Sequence, residues 1–343
     1  GVTAVGDDGE ITGNKIGITH IVVKKGNLTS VCIVHVIDKD AQTAPMISAG
    51  NSHVIALKSD GTVWTWGNNE YGQLGDGSVS CAYEPINVTA LNGKDIVSVH
   101  AGEYHSIALT RDGEVYTWGH NDYGQLGLGN ASIVVSTPQK VESLPEIVSI
   151  SAGKQHTMVL GADGYVYSFG DNSLGQLGAP SKDTSKRSST PVVAQGLNKV
   201  ISISIGAGGS ATKAVRYDGT LWGWGENSNH QIDNTNNRYY AYPVQIDLGD
   251  EFNGHILRTY DGLYHVVAML DNGRIISWGA NSEGQLGQGI AESGSLLYYA
   301  PDYVDVFDGT NNYAVDISVG ALHNIAITAD GRVMSWGSAD LGR

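Results

Sequence analysis

Charged residues, cysteine and proline are all scarce in this chain of 343 residues. Only 16% of its residues are charged, against about 25% in ordinary soluble proteins, and it has 2 cysteines and 8 prolines. The low charge argues against a helical bundle or coiled coil, and eight prolines are far too few for collagen. Cys32 and Cys81 are isolated, so they do not indicate a disulfide framework. No apolar run approaches the roughly 18 residues that span a bilayer.

The positively charged residues Lys and Arg are also scarce. The chain has 20 Lys and Arg against 35 Asp and Glu, a formal net charge of -15, and it contains no basic run. Because an acidic field repels phosphate groups, nucleic acids and anionic membrane surfaces are poor candidates for partners. With 7 Trp and 17 Tyr the chain is too aromatic to be disordered.

Glycine, in contrast, is abundant, with 46 residues. This is nearly twice the usual share of about 7%. Since glycine is unfavourable inside helices and permits tight turns, the excess predicts an all-β chain with many turns.

A pattern of glycines and aromatic residues occurs six times. In its first copy, Ala49-Gly50 is followed by His53, Asp60-Gly61, Trp66-Gly67 and Gly72-Gln73-Leu74-Gly75. The aromatic residue before the repeat glycine recurs about every 50 to 60 residues. These aromatic residues are Trp66, Trp118, Phe169, Trp224, Trp278 and Trp336. The repeat histidines are His53, His105, His156, His265 and His323, and Ala211 stands at this position in the fourth copy.

Each copy predicts about four strands. In the first, residues 46–50 and 53–58 form two strands, and Asp60-Gly61 is a favoured hairpin turn before an alternating strand at 62–67. A segment led by Pro85 is expected to start an outer, edge-like strand, where a missing N–H is tolerated. Small four-stranded sheets repeated around an axis predict a β-propeller.

These landmarks resemble the repeats of the regulator of chromosome condensation family. The resemblance covers residues 43–343 and implies a propeller, usually of seven blades. Six copies are visible, and the sixth stops inside a motif at Leu341-Gly342-Arg343. Two alternatives follow. Either sequence beyond Arg343 completes a seventh blade, which is the favoured interpretation, or the protein is a six-unit variant.

Residues 1–38 do not fit the repeat. They predict β-strands at 10–13, 17–23 and 30–37, and they resemble the C-terminal part of a bacterial immunoglobulin-like domain. Such a domain needs about 80–100 residues, so about half would lie upstream. Residues 39–44 are then a linker, and 45–343 form the propeller. The resemblance implies a large secreted or surface-attached bacterial protein, and therefore an extracellular or cell-surface location.

The repeat residues are interpreted as structural. Five equivalent histidines could converge on a channel and bind a metal, but a residue present in every repeat usually serves the fold, here by bonding to a neighbouring strand's backbone. The aromatic residues are interpreted in the same way, as packing between blades. Each Asp-Gly turn offers a single carboxylate, too few for calcium. We predict no metal site, no cofactor and no catalytic residues, because no motif of enzyme chemistry is present.

Between the Gly-Gln-Leu-Gly motif and the next proline, each of the first five copies has a segment that varies in length and sequence. Two of these segments are crowded with tyrosine. Tyrosine supplies contact area and a hydrogen-bonding tip at low entropic cost, although the same residues also suit strand packing. The candidate binding residues are Tyr239, Tyr240, Tyr242, Tyr298 and Tyr299.

The sequence therefore predicts a non-enzymatic binding or scaffold module that presents propeller-face loops to a protein or glycan partner. The first alternative is a secreted inhibitor of an enzyme, since some bacterial β-lactamase inhibitor proteins are built from similar repeats. The second is a guanine-nucleotide-exchange type of regulator, the role of the best-known member of the family. The lack of a basic tail and the immunoglobulin-like segment argue against exchange activity.

Overall fold

The computed structural model describes residues 3–5, 11–13, 17–25, 28–38, 40–129, 132–180, 186–206, 209–249, 252–289, 298–309 and 313–339. Regular structure in these ranges is almost entirely β, and the only helix there is a 3-10 turn at Thr89–Leu91. The all-β prediction is confirmed.

The first 38 residues contribute two separate two-stranded antiparallel sheets. Strand β1 (Thr3–Val5) pairs with β2 (Ile11–Gly13), and β3 (Gly17–Lys25) pairs with β4 (Leu28–Val36). Three of these strands lie where the sequence predicts them. The immunoglobulin-like assignment and the boundary at residue 38 stay predictions.

Six further sheets follow, one for each repeat. The first five each have four antiparallel strands in chain order, and the sixth has three strands in the described range. The first three blades consist of β5 (Met46–Ala49), β6 (His53–Leu57), β7 (Val63–Gly67) and β8 (Ala82–Asn87); β9 (Ile96–Ala101), β10 (His105–Thr110), β11 (Val115–His120) and β12 (Val134–Lys140); β13 (Ile147–Ala152), β14 (His156–Gly161), β15 (Val166–Asp171) and β16 (Arg187–Val193). The others consist of β17 (Val200–Ile205), β18 (Ala211–Arg216), β19 (Leu221–Glu226) and β20 (Tyr239–Gln245); β21 (Ile256–Asp261), β22 (His265–Leu270), β23 (Arg274–Ala280) and β24 (Tyr298–Asp308); β25 (Ala314–Val319), β26 (His323–Thr328) and β27 (Val333–Gly337). The predicted six-repeat propeller is confirmed.

Local sequence explains the turns and edges of each blade. Gly61 has φ +77°, and Asp60 Oδ1 accepts a hydrogen bond from the Thr62 N–H at 3.0 Å, which closes the predicted hairpin turn. The prediction that Pro85 starts the outer strand is wrong, because Pro85 lies within that strand. This is tolerated because the outer strand is an edge, where one side of the backbone has no strand partner.

The hydrophobic core lies between blades. Ile107 and Leu109 on β10 pack with Ile147 and Ile150 of the following blade. Ala108, on the other face of the same strand, packs with the core of the preceding blade. Because successive side chains of a strand point to opposite faces, every sheet needs a neighbour on each side to bury its apolar residues.

The repeat histidine of a blade contacts a side chain of the next blade. The Nε2 contacts are His53–Ser106 Oγ at 3.0 Å, His105–Thr157 Oγ1 at 2.9 Å, His156–Thr212 Oγ1 at 3.2 Å and His265–Asn324 Oδ1 at 2.8 Å. The sequence predicts a backbone partner instead. The structure shows a hydroxyl or amide, because in these blades the residue after the repeat-histidine position, which is occupied by Ala211 in the fourth copy, points back towards the preceding blade.

The hydroxyl partner identifies the tautomer of the histidine. Ser106 Oγ donates to Gln73 O at 2.8 Å, so it accepts the hydrogen bond from His53 Nε2–H. His53 Nδ1 is shielded from solvent and has no hydrogen-bond partner in the described part of the chain. Burial accordingly lowers the pKa of His53 to about 4, so the ring is neutral at pH 7.

The repeat aromatic residue also reaches the preceding blade. Trp118 Nε1 donates to Gln73 O at 2.9 Å, and the ring lies against Gly75, whose φ is +76°. A Cβ atom on Gly75 would come within 2.7 Å of Trp118 Nε1. The Gln73 carbonyl oxygen therefore accepts hydrogen bonds from both Trp118 Nε1 and Ser106 Oγ. The Trp-Gly and Gly-Gln-Leu-Gly landmarks are therefore two halves of one contact between blades.

The fourth junction lacks the histidine and its partner together. Ala211 replaces the histidine, and Val266 of the fifth blade replaces the hydroxyl or amide residue. Trp278 Nε1 still donates to Gln231 O at 3.1 Å. The histidine and its polar partner therefore behave as a matched pair.

The first and sixth blades each expose one apolar face. Ile325 is 40% exposed, whereas the equivalent Ile107 is 0% exposed. Ile47 is 67% exposed, whereas the equivalent Val99 is 0% exposed. In a ring of six, His323 would face Val54, which offers no acceptor. The predicted seventh blade stays a prediction.

The matched pair makes a stability prediction. We expect His53→Ala to destabilise the protein by about 2 to 3 kcal/mol, because it leaves a cavity and an unpartnered hydroxyl. Combining it with Ser106→Val, which recreates the Ala211–Val266 pair, should cost less than the sum of the single changes by about 1 kcal/mol. Chemical unfolding followed by tryptophan fluorescence measures this; additive effects would contradict the pairing.

The buried histidines also predict a pH dependence. Burial lowers the pKa of His265 to about 4 and of His105 and His156 to about 3, and an unfolded histidine titrates near 6.5. Between these values the unfolded chain binds protons that the folded chain does not, so the free energy of unfolding must fall as the pH is lowered from 7 to 4. We expect the His53→Ala, Ser106→Val variant to show a shallower slope by up to about 1.4 kcal/mol per pH unit. Equal slopes for this variant and the unaltered protein would contradict the conclusion that His53 is buried and neutral.

Candidate functional site

The connections between strands divide the propeller into two faces. Because neighbouring strands are antiparallel, the first-to-second and third-to-fourth connections of every blade emerge at the same end. We call this end the loop face; in the first two blades it comprises residues 50–52, 68–81, 102–104, 121–129 and 132–133. The opposite face carries the Asp-Gly hairpin turns. In the described ranges, the connections between the third and fourth strands, which differ between copies, therefore belong to the loop face.

Four aromatic side chains form a continuous row on the loop face of the first two blades. We call Tyr71, Tyr104, His120 and Tyr123 the aromatic row. The ring centroids of Tyr71 and Tyr104 are 5.3 Å apart, those of Tyr71 and His120 are 4.5 Å apart, and those of His120 and Tyr123 are 6.4 Å apart. The three tyrosines are partly buried and remain partly accessible to solvent.

Hydrogen bonds hold the row in place. Gln125 Nε2 donates to His120 Nδ1 at 2.8 Å, so His120 carries its proton on Nε2 and donates it to Asp122 Oδ2 at 3.2 Å. Asn51 Nδ2 donates to the Tyr104 hydroxyl at 3.1 Å. Because Asn51 and Tyr71 belong to the first blade and Tyr104 to the second, the row depends on the packing of these two blades.

Glu103 lies beside the row, immediately before Tyr104. Its backbone N–H donates to Gly153 O at 3.1 Å, and its carbonyl accepts from Asn51 N–H at 3.4 Å, so it sits between the first and third blades. Its Oε2 atom is shielded from solvent and accepts no hydrogen bond within the described ranges. Burial raises the pKa of Glu103, and the nearby charge of Lys154 acts in the opposite direction.

The tyrosines predicted from the sequence lie at the rim of the same face. Tyr239 and Tyr242, on β20, are 50% and 48% exposed. Tyr240 is half-buried, and its hydroxyl contacts Asp233 and accepts from Asn237 Nδ2 at 2.9 Å. Tyr298 and Tyr299 begin β24, but their side chains lie outside the described residues. Binding by these five residues stays a prediction.

Sequence reasoning missed the aromatic row. A signal was present, because Tyr71 and Tyr123 precede the Gly-Gln-Leu-Gly motif in two successive copies and Tyr104 precedes a repeat histidine. What could not be read from the sequence is that these three positions meet across a blade junction.

The Asp-Gly turns behave as turns. Asp60 accepts hydrogen bonds from the Thr62 hydroxyl and N–H and from Lys58, and these bonds lower its pKa to about 2. In the described ranges no group of three or more His, Cys, Asp or Glu residues is placed to hold a metal ion.

A buried ion pair lies at the fourth junction, near the inner strands. Lys213 on β18 contacts Asp261 on β21, and both side chains are buried. Ser204 Oγ donates to Asp261 Oδ2 at 2.6 Å, which partly satisfies the carboxylate. At the equivalent places of the second junction stand the apolar residues Ile107 and Ala152. The pair thus replaces a hydrophobic contact between blades.

This ion pair predicts a stability difference. We expect Asp261→Ala alone to destabilise the protein by about 3 to 5 kcal/mol, because it leaves Lys213 buried and unpaired. Adding Lys213→Ile copies the apolar junction of Ile107 and Ala152 and should restore most of this loss. Thermal unfolding of both variants tests the point, and a double variant as unstable as the single one would contradict it.

Comparison with known proteins gives the relationships of this chain. The ultraviolet-B receptor UVR8 of Arabidopsis thaliana is 33% identical over 314 residues, which cover 89% of this chain and 68% of the receptor. The human E3 ubiquitin-protein ligase HERC2 is 31% identical over 249 residues, which cover 71% of this chain and only 5% of the ligase. The match to HERC2 therefore concerns a small part of that protein. No helix in the described ranges is long and apolar enough to cross a membrane.

Solved structures show the same relationship. Yeast RCC1 (Prp20), from its complex with Kap60, aligns with a TM-score of 0.72 and 25% identity over 85% of this chain and 69% of that chain. Human WBSCR16 aligns with a TM-score of 0.70 and 25% identity over 83% of this chain and 72% of that chain. A family model described as RCC1-like domain matches residues 3–343, a range that also includes the segment resembling an immunoglobulin-like domain. The resemblance of the repeats is confirmed, and this chain belongs to the RCC1-like domain family.

Proposed function

We propose that this propeller is a non-enzymatic binding module and that its loop face contacts a protein partner. The aromatic row carries the proposal. Its three tyrosines are partly exposed, and the blade-to-blade hydrogen bonds of the repeat histidines and of Trp118 do not use their side chains. Half-exposed tyrosines held rigidly on a scaffold are typical of recognition surfaces.

The relatives support a protein partner in general. One matched relative is a receptor. Prp20p of Saccharomyces cerevisiae, whose crystal structure aligns with a TM-score of 0.71 and 25% identity, has binding properties towards Gsp1p and histones. A glycan partner has no such support. The secreted or surface location remains part of our proposal and rests on the resemblance of residues 1–38 to an immunoglobulin-like domain.

The proposal is tested by mapping where a partner binds. We expect a photo-crosslinking phenylalanine analogue at exposed loop-face positions, such as Asn51 and Ser173, to capture the same protein from the source organism. The analogue at Tyr165, on the opposite face, serves as the control. Capture from Tyr165 but not from the loop face would contradict the proposal.

The candidate tyrosines are tested with the same partner. We expect Tyr239→Ala with Tyr242→Ala to weaken binding about tenfold, because exposed tyrosines at an interface often contribute more than 1 kcal/mol each. Tyr165→Ala is the matched control and should leave the affinity unchanged. Unchanged affinity for the folded double variant would remove Tyr239 and Tyr242 from the site.

The two alternatives from the sequence are tested with purified protein. Release of labelled guanine nucleotide from a small GTPase would indicate exchange activity, and inhibition of a β-lactamase would indicate an inhibitor. We expect neither, since the loop face is proposed as a docking surface rather than a regulator of these enzymes.

A further inference from the structure

We propose that the aromatic row and Glu103 together form a binding site for an arginine or lysine side chain of a protein partner. This inference rests on the proposed function of the loop face and names the chemistry that the face recognises. It depends on three features: the partly exposed tyrosine rings, the carboxylate oxygen that has no partner in the described residues, and the surrounding negative charge.

The partly exposed tyrosine rings are suited to a cation. A guanidinium or ammonium group within about 6 Å of a tyrosine ring is attracted by the negative face of the ring. Tyr71 and Tyr104 are adjacent at 5.3 Å and half-buried, so they form one platform rather than two separate sites. Because Asn51 and the blade packing already hold Tyr104, little side-chain entropy is lost on binding.

The carboxylate of Glu103 supplies the specificity. Its Oε2 atom is shielded from solvent yet accepts no hydrogen bond in the described part of the chain. A shielded oxygen without a donor is unfavourable. Glu103 as a whole is partly exposed, so a rotation of its side chain would bring this oxygen to the surface, where a cationic N–H donor forms a strong charge-assisted bond with it. Burial raises the pKa of Glu103, and an arriving cation would favour its ionised form.

The charge around the row favours the same ligand. Glu70 and Asp122 are exposed and adjoin Tyr71 and Tyr123 in sequence. Lys154 is the competing cation, and it is exposed to solvent, so its interaction with Glu103 is screened. The net charge of -15 steers basic segments towards the protein as a whole, and for that reason the test must separate local recognition from general attraction.

The test uses short peptides as probes and the whole chain labelled with 3-fluorotyrosine. The three probes are acetylated, amidated Gly-Gly-X-Gly-Gly peptides in which X is arginine, lysine or citrulline. Citrulline keeps the shape and hydrogen-bond donors of arginine but lacks its charge. Fluorine NMR at about 0.15 M salt, where exposed charges farther apart than about 8 Å are screened, follows the ring signals. Tyr71→Phe and Tyr104→Phe variants assign the two signals.

We expect the arginine and lysine peptides to shift the Tyr71 and Tyr104 signals in a saturable way, and citrulline to bind at least fivefold more weakly. Glu103→Gln should weaken arginine binding at least fivefold. Glu142→Gln removes the same charge from an exposed side chain elsewhere and should leave binding unchanged. Tyr104→Ala should weaken binding, whereas Tyr104→Phe should preserve it because the ring face remains.

Equal binding of citrulline and arginine would overturn the inference, and so would equal weakening by Glu103→Gln and Glu142→Gln. Retention of the remaining fluorotyrosine signals shows that each variant is folded. The two proposals fail differently. If a partner crosslinks to the loop face while the basic probes do not bind the row, the cation site is wrong and the proposed function stands.

Discussion

The whole structure depends on the fact that no blade can bury its own faces. Each sheet has apolar side chains on both sides, so Ile107 is buried only because the third blade covers it, and Ala108 only because the first blade does. The polar groups at these junctions obey the same constraint. Gln73 O, Ser106 and His53 form one chain of hydrogen bonds that crosses between blades and leaves the histidine neutral. Stability, pH dependence and the position of the loops all follow from this packing.

The junctions also show what can vary. Where the histidine is replaced by Ala211, its partner becomes Val266, and a buried ion pair of Lys213 and Asp261 stands close to them. The scaffold thus tolerates changes that preserve a match across a junction. The residues of the loop face outside the Gly-Gln-Leu-Gly landmark are not part of these matched contacts. Their side chains can diverge between copies, and this is where the aromatic row is found.

Much of the fold was predictable because it is encoded in short segments. Asp60-Gly61 specifies a hairpin turn by local geometry alone, and the alternation around Trp66 specifies a strand. The partner of His53 was not predictable, because Ser106 is distant in sequence and belongs to another sheet. Binding by the tyrosines predicted from the sequence stays a prediction, and the aromatic row is a different feature of the loop face. Tyrosine crowding drew attention to Tyr239 and its neighbours, whereas the row is assembled from single aromatic residues that are far apart in the chain.

The sequence by itself determined the repeat, the strands and turns within each copy, the all-β class and the family. These depend on side-chain periodicity and on residues with few allowed backbone conformations, and both are local properties. Only the tertiary structure decided which side chains meet across a junction, which faces stay exposed at Ile47 and Ile325, and that Tyr71 and Tyr104 lie against each other. The reason is physical: contacts between blades join residues about 50 positions apart, and their geometry is set by packing rather than by spacing in the chain.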